Sequence, residues 1–250
     1  MIQKAPLAPE IAQGLDEFVA VARESFGDDL ISAVLFGSAA EGRLRSSSDV
    51  NLILLLKRFE TKRADMVRDA FRAAHAAMRL DVMFLLESEI GPVMDAFALK
   101  FSDILMRRRV LLGPDPFADL VIPPESVRQR TIQVLLNLML RMRERYALVS
   151  LREEQLVLVA ADVAAPLRVC AASILSLEGR PAASPREALA LLLTESGEPR
   201  VDEVIRLIDA VRRKKTLPPG AAALLIRSLM GFAAFMYQRV SGGKAGGGHG

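Results

Sequence analysis

The hydrophobic and polar positions of this chain follow two regimes. Over residues 9–112 helical periodicity alternates with short apolar runs, and beyond residue 124 only helical periodicity remains. Ile11, Leu15, Phe18, Val19, Ala22 and Phe26 recur at helical spacing and predict an amphipathic helix over residues 9–26, stopped by Gly27-Asp28-Asp29. The run LISAVLF, residues 30–36, is short, apolar and bounded by turn residues, which predicts a buried strand. A short helix over residues 38–42 and a polar loop over 43–48 lead to a second strand at 49–56. An Ala-rich helix striped by Met66, Ala70, Ala74 and Ala77 is predicted over 61–78, and a third strand over 80–86. Residues 87–100 open as a helix marked by Ser88 and Pro92. Residues 104–112 read as a more exposed fourth strand, ended by Gly113-Pro114.

Four prolines fall within residues 113–124, and after them the strand signals vanish. Helical segments follow at 125–149, 153–178, 185–194, 201–215 and 219–240. Ser184-Pro185, with Glu187 three positions after the serine, is a strong helix start. A run of long helices with short breaks predicts a bundle. The expected organisation is a first domain over 1–113, a Pro-rich linker over 114–124, a helical bundle over 125–240 and a flexible tail over 241–250.

Composition changes this picture little. The chain has 250 residues, 51% hydrophobic and 25% charged, enough for one large or two ordinary cores. The single cysteine, Cys170, excludes an intrachain disulfide and reads as a small buried residue, in keeping with a reducing cytoplasm. The N-terminus lacks the apolar core of a secretory signal. The most membrane-like run, residues 156–177, contains Asp162, Pro166 and Arg168, so a buried bundle helix is expected and no membrane partner. Charge is uneven: residues 1–122 carry 15 Lys/Arg against 18 Asp/Glu, and residues 123–250 carry 18 against 12. An anionic partner for the second half is compatible with that asymmetry.

The candidate chemistry sits in residues 35–56, LFGSAAEGRLRSSSDVNLILLL. A strand ending in Gly37-Ser38 and passing into a helix start is expected to leave backbone N–H groups pointing outward for phosphate oxygens, with Ser38 adding a hydroxyl. Asp49 and Asn51, two apart at a strand entry, project from one face and offer oxygen ligands suited to Mg²⁺. Asp81 interrupts an otherwise apolar strand, where an unpaired buried carboxylate is costly. If its strand lies beside that of Asp49, the three side chains meet at one sheet edge. The competing reading of each piece is an ordinary turn and a polar strand entry.

Gly37-Ser38, ten residues, Asp49-Val50-Asn51 and then Asp81 on a later strand resemble the nucleotidyltransferase superfamily typified by polymerase β. The layout is similar to the bacterial group that includes kanamycin nucleotidyltransferase and the small antitoxin-type nucleotidyltransferases. The resemblance covers residues 30–112; the helical half matches the partner domains of such enzymes in layout only. It implies an α/β (α+β) nucleotidyltransferase domain with a small mixed sheet, followed by an all-α bundle. It also implies transfer of a nucleoside monophosphate from a nucleoside triphosphate to a hydroxyl or other nucleophile of a small molecule or protein.

On that resemblance Gly37, Ser38, Arg43 and Ser48 would bind the nucleotide. Asp49, Asn51 and Asp81 would hold two Mg²⁺ (or Mn²⁺) ions, with Asp81 also activating the acceptor. The chain departs from the family at two positions. Asn51 stands where the family has Asp, and Glu41 where it often has Arg, with Arg43 or Arg45 as replacement cations. Two readings stay open: an Mg²⁺-dependent transferase, or a nucleotide-binding or partner-regulating protein of the same fold that has lost the chemistry. Arg107, Arg108 and Arg109 read as guards of an edge strand, and Arg141, Arg143 and Arg145 as a solvated helix face. The cations at 212–215 offset a helix dipole. No nucleic-acid module accompanies them, so nucleic acid is not expected as a partner. His75 and His249 lack metal-ligand companions. A homodimer stays open.

Overall fold

A computed structural model of the protein describes residues 6–42, 49–214 and 217–242. It divides into two compact units, Met1–Ile122 and Pro123–Gly250. In the first, helix α1 (Pro9–Phe26) leads into strand β1 (Leu30–Phe36). Strand β2 (Val50–Leu56), helix α2 (Thr61–Met78) and strand β3 (Leu80–Leu86) follow, then α3 (Ile90–Ala96), α4 (Ala98–Met106) and strand β4 (Arg108–Leu112). The sheet order is β3-β2-β1-β4. β1 runs antiparallel to both β2 and β4, while β2 and β3 are parallel, so the sheet is mixed. The parallel pair needs a crossover, and α2 supplies it.

Alternation along the strands splits the core in two. Ala33, Leu35, Leu52, Leu54, Leu56 and Leu80 face α1 and α2, packing on Leu15, Phe18, Ala22, Phe26 and Val67. Val34, Phe36, Ile53, Leu55 and Leu85 face the other way, onto Met94, Phe101, Ile104 and Phe117. Each fully buried Leu, Ile or Phe contributes about 1.5–3 kcal/mol. Burial on both faces explains why β1 and β2 read as unbroken apolar runs.

Three local expectations are corrected. The fourth strand begins at Arg108, not 104, because Ala98, Phe101 and Ile104 recur every third residue and are buried as a helical stripe of α4. Residues 38–42 form turns rather than a short helix, with Gly37 and Gly42 at positive φ and the Gly42 N–H bonded to the Ala39 carbonyl. The Pro-rich segment holds Phe117 wholly buried, its ring 6.0 Å from that of Phe101, so residues 114–122 lie on the first unit's core. The Gly113 stop is sterically fixed: φ is +75°, and a Cβ there would lie 2.1 Å from the Ile31 carbonyl oxygen. His75 is structural, its Nδ1 2.8 Å from the Leu80 carbonyl.

The second unit consists of α5 (Pro124–Val149), α6 (Glu153–Leu177), α7 (Pro185–Glu195), α8 (Val201–Lys214) and α9 (Ala221–Val240). α6 is its hub, touching the other four. α6 and α9 are each long and apolar enough to cross a bilayer; here α6 buries eleven residues within the bundle, Cys170 and Arg168 among them. Arg168 Nη2 lies 2.5 Å from Asp209 Oδ1 of α8, and Arg186 of α7 reaches the other Asp209 oxygen at 2.9 Å, tying three helices together. Ser184 caps α7 as its sequence predicts: its Oγ accepts the Glu187 N–H at 3.2 Å, and Glu187 accepts the Ala183 N–H at 2.9 Å.

Candidate active site

The site stands where β1 ends and β2, β3 and β4 begin. In the parallel β2–β3 ladder Asn51 is opposite Asp81, and in the antiparallel β1–β2 ladder Asn51 is opposite Phe36. Opposed residues share a face, so Asn51 and Asp81 sit side by side at the sheet edge, next to the Gly37-Ser38 turn. Asp49 adjoins them, with Asn51 Nδ2 donating to its carbonyl at 3.3 Å. The structure thus gathers Gly37, Ser38, Asp49, Asn51 and Asp81. Arg43 and Ser48, the other two expected nucleotide ligands, lie outside the described residues.

Gly37 is needed for its conformation: φ is +76°, and Asn51 Nδ2 lies 3.8 Å from where a Cβ would project. Its N–H is not free, as expected from the sequence, but donates to the Arg107 carbonyl at 3.0 Å, because the β1–β4 ladder runs one step past Phe36 and Arg108. Ser38, half-buried, supplies the hydroxyl of this turn.

Glu41 does not act as a bare negative charge. Its carboxylate lies 3.3 Å from Arg107 Nη1, while Arg107 Nε donates to Asp103 at 2.7 Å. Burial would push the Arg107 guanidinium down, but Asp103 and Glu41 outweigh it and raise it above its usual value. Arg107 therefore stays charged and fastens the turn at both ends, through its carbonyl at Gly37 and its side chain at Glu41. A further cation, Lys100 of α4, stands with its Nζ 5.8 Å from the centre of the Phe36 ring, on the face that carries Asn51.

The least anticipated contact is Arg79. It ends α2 in the left-handed conformation, φ 55°, as the one described non-glycine residue at positive φ. Its carbonyl accepts the Val50 N–H at 3.2 Å, and its Nε donates to Asp49 Oδ1 at 2.7 Å. Val50 pairs with Leu80, so the preceding residues, Asp49 and Arg79, are neighbours by register alone.

These residues fit one divalent cation better than two. Asp81 offers an exposed carboxylate, Asp49 shares its charge with Arg79, and Asn51 contributes only a neutral amide oxygen. Among the described residues no group of three or more His, Cys, Asp or Glu side chains gathers as a metal cluster.

Sequence reasoning missed Arg79, Arg107 and Lys100. Arg79 carried one usable signal: it is the residue just before the Asp81 strand, as Asp49 is just before the β2 strand.

Comparison with known proteins bears on the fold. No protein-family model matches the chain. Over 51 residues it is 47% identical to a protein of Methanocaldococcus jannaschii described as a candidate protein adenylyltransferase. That match covers 20% of this chain and spans 35% of the relative's length. The structure resembles the crystal structure of spectinomycin adenyltransferase AAD(9) from Enterococcus faecialis, solved with ATP and spectinomycin. The TM-score is 0.64, at 10% identity, covering 92% of this chain and 99% of the other. At that identity the likeness is one of fold. The chain has a nucleotidyltransferase fold with a small mixed sheet, followed by a helical domain, as the resemblance in its sequence implied.

Proposed function

We propose that the protein is a nucleotidyltransferase that moves a nucleoside monophosphate from a nucleoside triphosphate to a hydroxyl or other nucleophile. The observation that carries this is the register of Asn51 against Asp81, with Asp49 and the Gly37-Ser38 turn beside them. Both similar proteins are described as adenylyl- or adenyltransferases, which favours ATP as donor and a small molecule or protein as acceptor.

The chain's own groups have separable tasks. Ser38 and Lys100 hold phosphate oxygens, and Arg107 keeps the turn in shape. Asp81, exposed at the sheet edge, takes the proton from the acceptor hydroxyl as its oxygen bonds to the α-phosphorus. The bond to the bridging oxygen then breaks and pyrophosphate leaves. Asp49 and Asp81, with the Asn51 amide oxygen, are the groups that would hold Mg²⁺ or Mn²⁺, whose contribution is to offset triphosphate charge. The lone buried Cys170 suits a cytoplasmic setting.

Incubation with α-labelled ATP, GTP, CTP and UTP, Mg²⁺ or Mn²⁺ and a cell extract is expected to label an acceptor, most strongly from ATP. Absence of transfer by both the natural chain and Asn51→Asp overturns the reading.

Asn51, together with the Arg79–Asp49 pair, favours a second reading: a nucleotide-binding, partner-regulating protein without turnover. It predicts triphosphate binding that is nearly metal-independent by calorimetry, and no labelled product.

A further inference from the structure

We infer that Arg79 is a built-in cation of the site, neutralising Asp49 so that one divalent ion, rather than two, is taken up with the nucleotide. The inference rests on the proposed triphosphate site but not on turnover.

The placement of Arg79 is fixed by three separate constraints. The parallel register sets it beside Asp49, its carbonyl is held by the Val50 N–H, and its own N–H caps α2 on the His75 carbonyl at 2.9 Å. Helices commonly end in glycine at a left-handed residue, because other side chains pay a conformational cost there. An arginine in that conformation, with its guanidinium on Asp49, is a departure that has a use at a functional site.

Charge supports the same reading. Asp49, Asp81 and Arg79 sum to −1, and Asn51 adds nothing, whereas two divalent ions bring +4. The side chains alone thus balance less than one divalent ion, so a second would have to be held almost entirely by the nucleotide. The pair is also exchangeable, since Arg79 and Asp49 side chains are 59% and 53% exposed. Exposed pairs of this kind weaken a competing ligand by at most about fivefold. Arg79 therefore tunes metal uptake at Asp49 without blocking it.

The test counts Mn²⁺ by electron paramagnetic resonance on the full chain with a non-hydrolysable ATP analogue. One ion per chain is expected for the natural protein. Arg79→Gly, which suits the left-handed backbone and so preserves the fold, is expected to tighten Mn²⁺ binding two- to fivefold, and Arg79→Lys to leave it near the natural value. Arg79→Gly with Asn51→Asp is expected to bind two ions. Two ions on the natural chain, or equal Mn²⁺ affinity in Arg79→Gly with an unchanged circular dichroism spectrum, overturns the inference. Because Mn²⁺ counting needs no acceptor, a protein that binds one ion but transfers nothing refutes the transferase reading and leaves this inference standing.

Discussion

Two arginine–aspartate pairs, one in each unit, use the same bond in opposite surroundings. Arg168 and Asp209 in the bundle are 6% and 14% exposed, and a second cation, Arg186, completes the set. Arg79 and Asp49 at the sheet edge are more than half exposed and have no such companion among the described residues. A charge buried away from water and deprived of its partner is expensive, so the first pair holds three helices in fixed relation. An exposed pair costs little to separate, so the second is free to trade partners. An ion pair's surroundings thus decide whether it is locked into the scaffold or left free to exchange.

The largest expected effect breaks the buried pair. Asp209→Ala strands Arg168 and is expected to cost about 3–5 kcal/mol, read from urea unfolding of the full chain. Its acid behaviour sharpens the point. Burial would raise the Asp209 carboxyl, but Arg186 and Arg168 outweigh it and hold it below the usual carboxylate range. A carboxylate depressed in the folded state stabilises above its unfolded pKa of about 3.9 and loses that contribution as pH falls through its folded value. The natural chain should therefore lose stability on acidification below about pH 4 more steeply than Asp209→Ala does.

The intermediate case is Arg107, half-buried between Glu41 and Asp103. Arg107→Ala is expected to cost about 1.5–3 kcal/mol in the first unit. It is also expected to raise KM for the triphosphate more than it lowers kcat, because the turn loosens while Asp81 stays in place. Lys100→Ala, which leaves the turn fastened, should raise KM without a change in melting temperature. Arg79→Gly should shift stability by no more than about 1 kcal/mol. The smallest signal is chemical: burial pushes the Cys170 thiol up to about 12, so a disulfide reagent should react only as the bundle opens. Asp209→Ala should speed that reaction, and Arg79→Gly should not.

Much of this contrast was hidden in the sequence, for identifiable reasons. Asp81 was legible because one carboxylate in LDVMFLL conflicts with its neighbours, and β1, β2, β3 and the bundle helices were legible from their periodicity. The run Ile104-Leu105-Met106 was misread as strand because a short apolar run fits a helix equally well, and only burial under the sheet decides. Arg79 became visible only with the parallel register in hand. The tie of Arg107 to the turn could not be found locally, since Glu41 lies 66 residues away.

That separation has a consequence for the order of assembly. Strands β1, β2 and β3, which gather the candidate residues, are complete once Leu86 has been made, yet among the described residues the Gly37 turn is fastened by Arg107, at the entrance to β4. On a ribosome adding about 5–20 residues per second, Arg107 follows Glu41 by about 3–13 s. Over the last 21 residues of that interval, about 1–4 s, the nascent chain has its acidic edge but an unfastened Gly37-Ser38 turn, and a chain halted before β4 never fastens it.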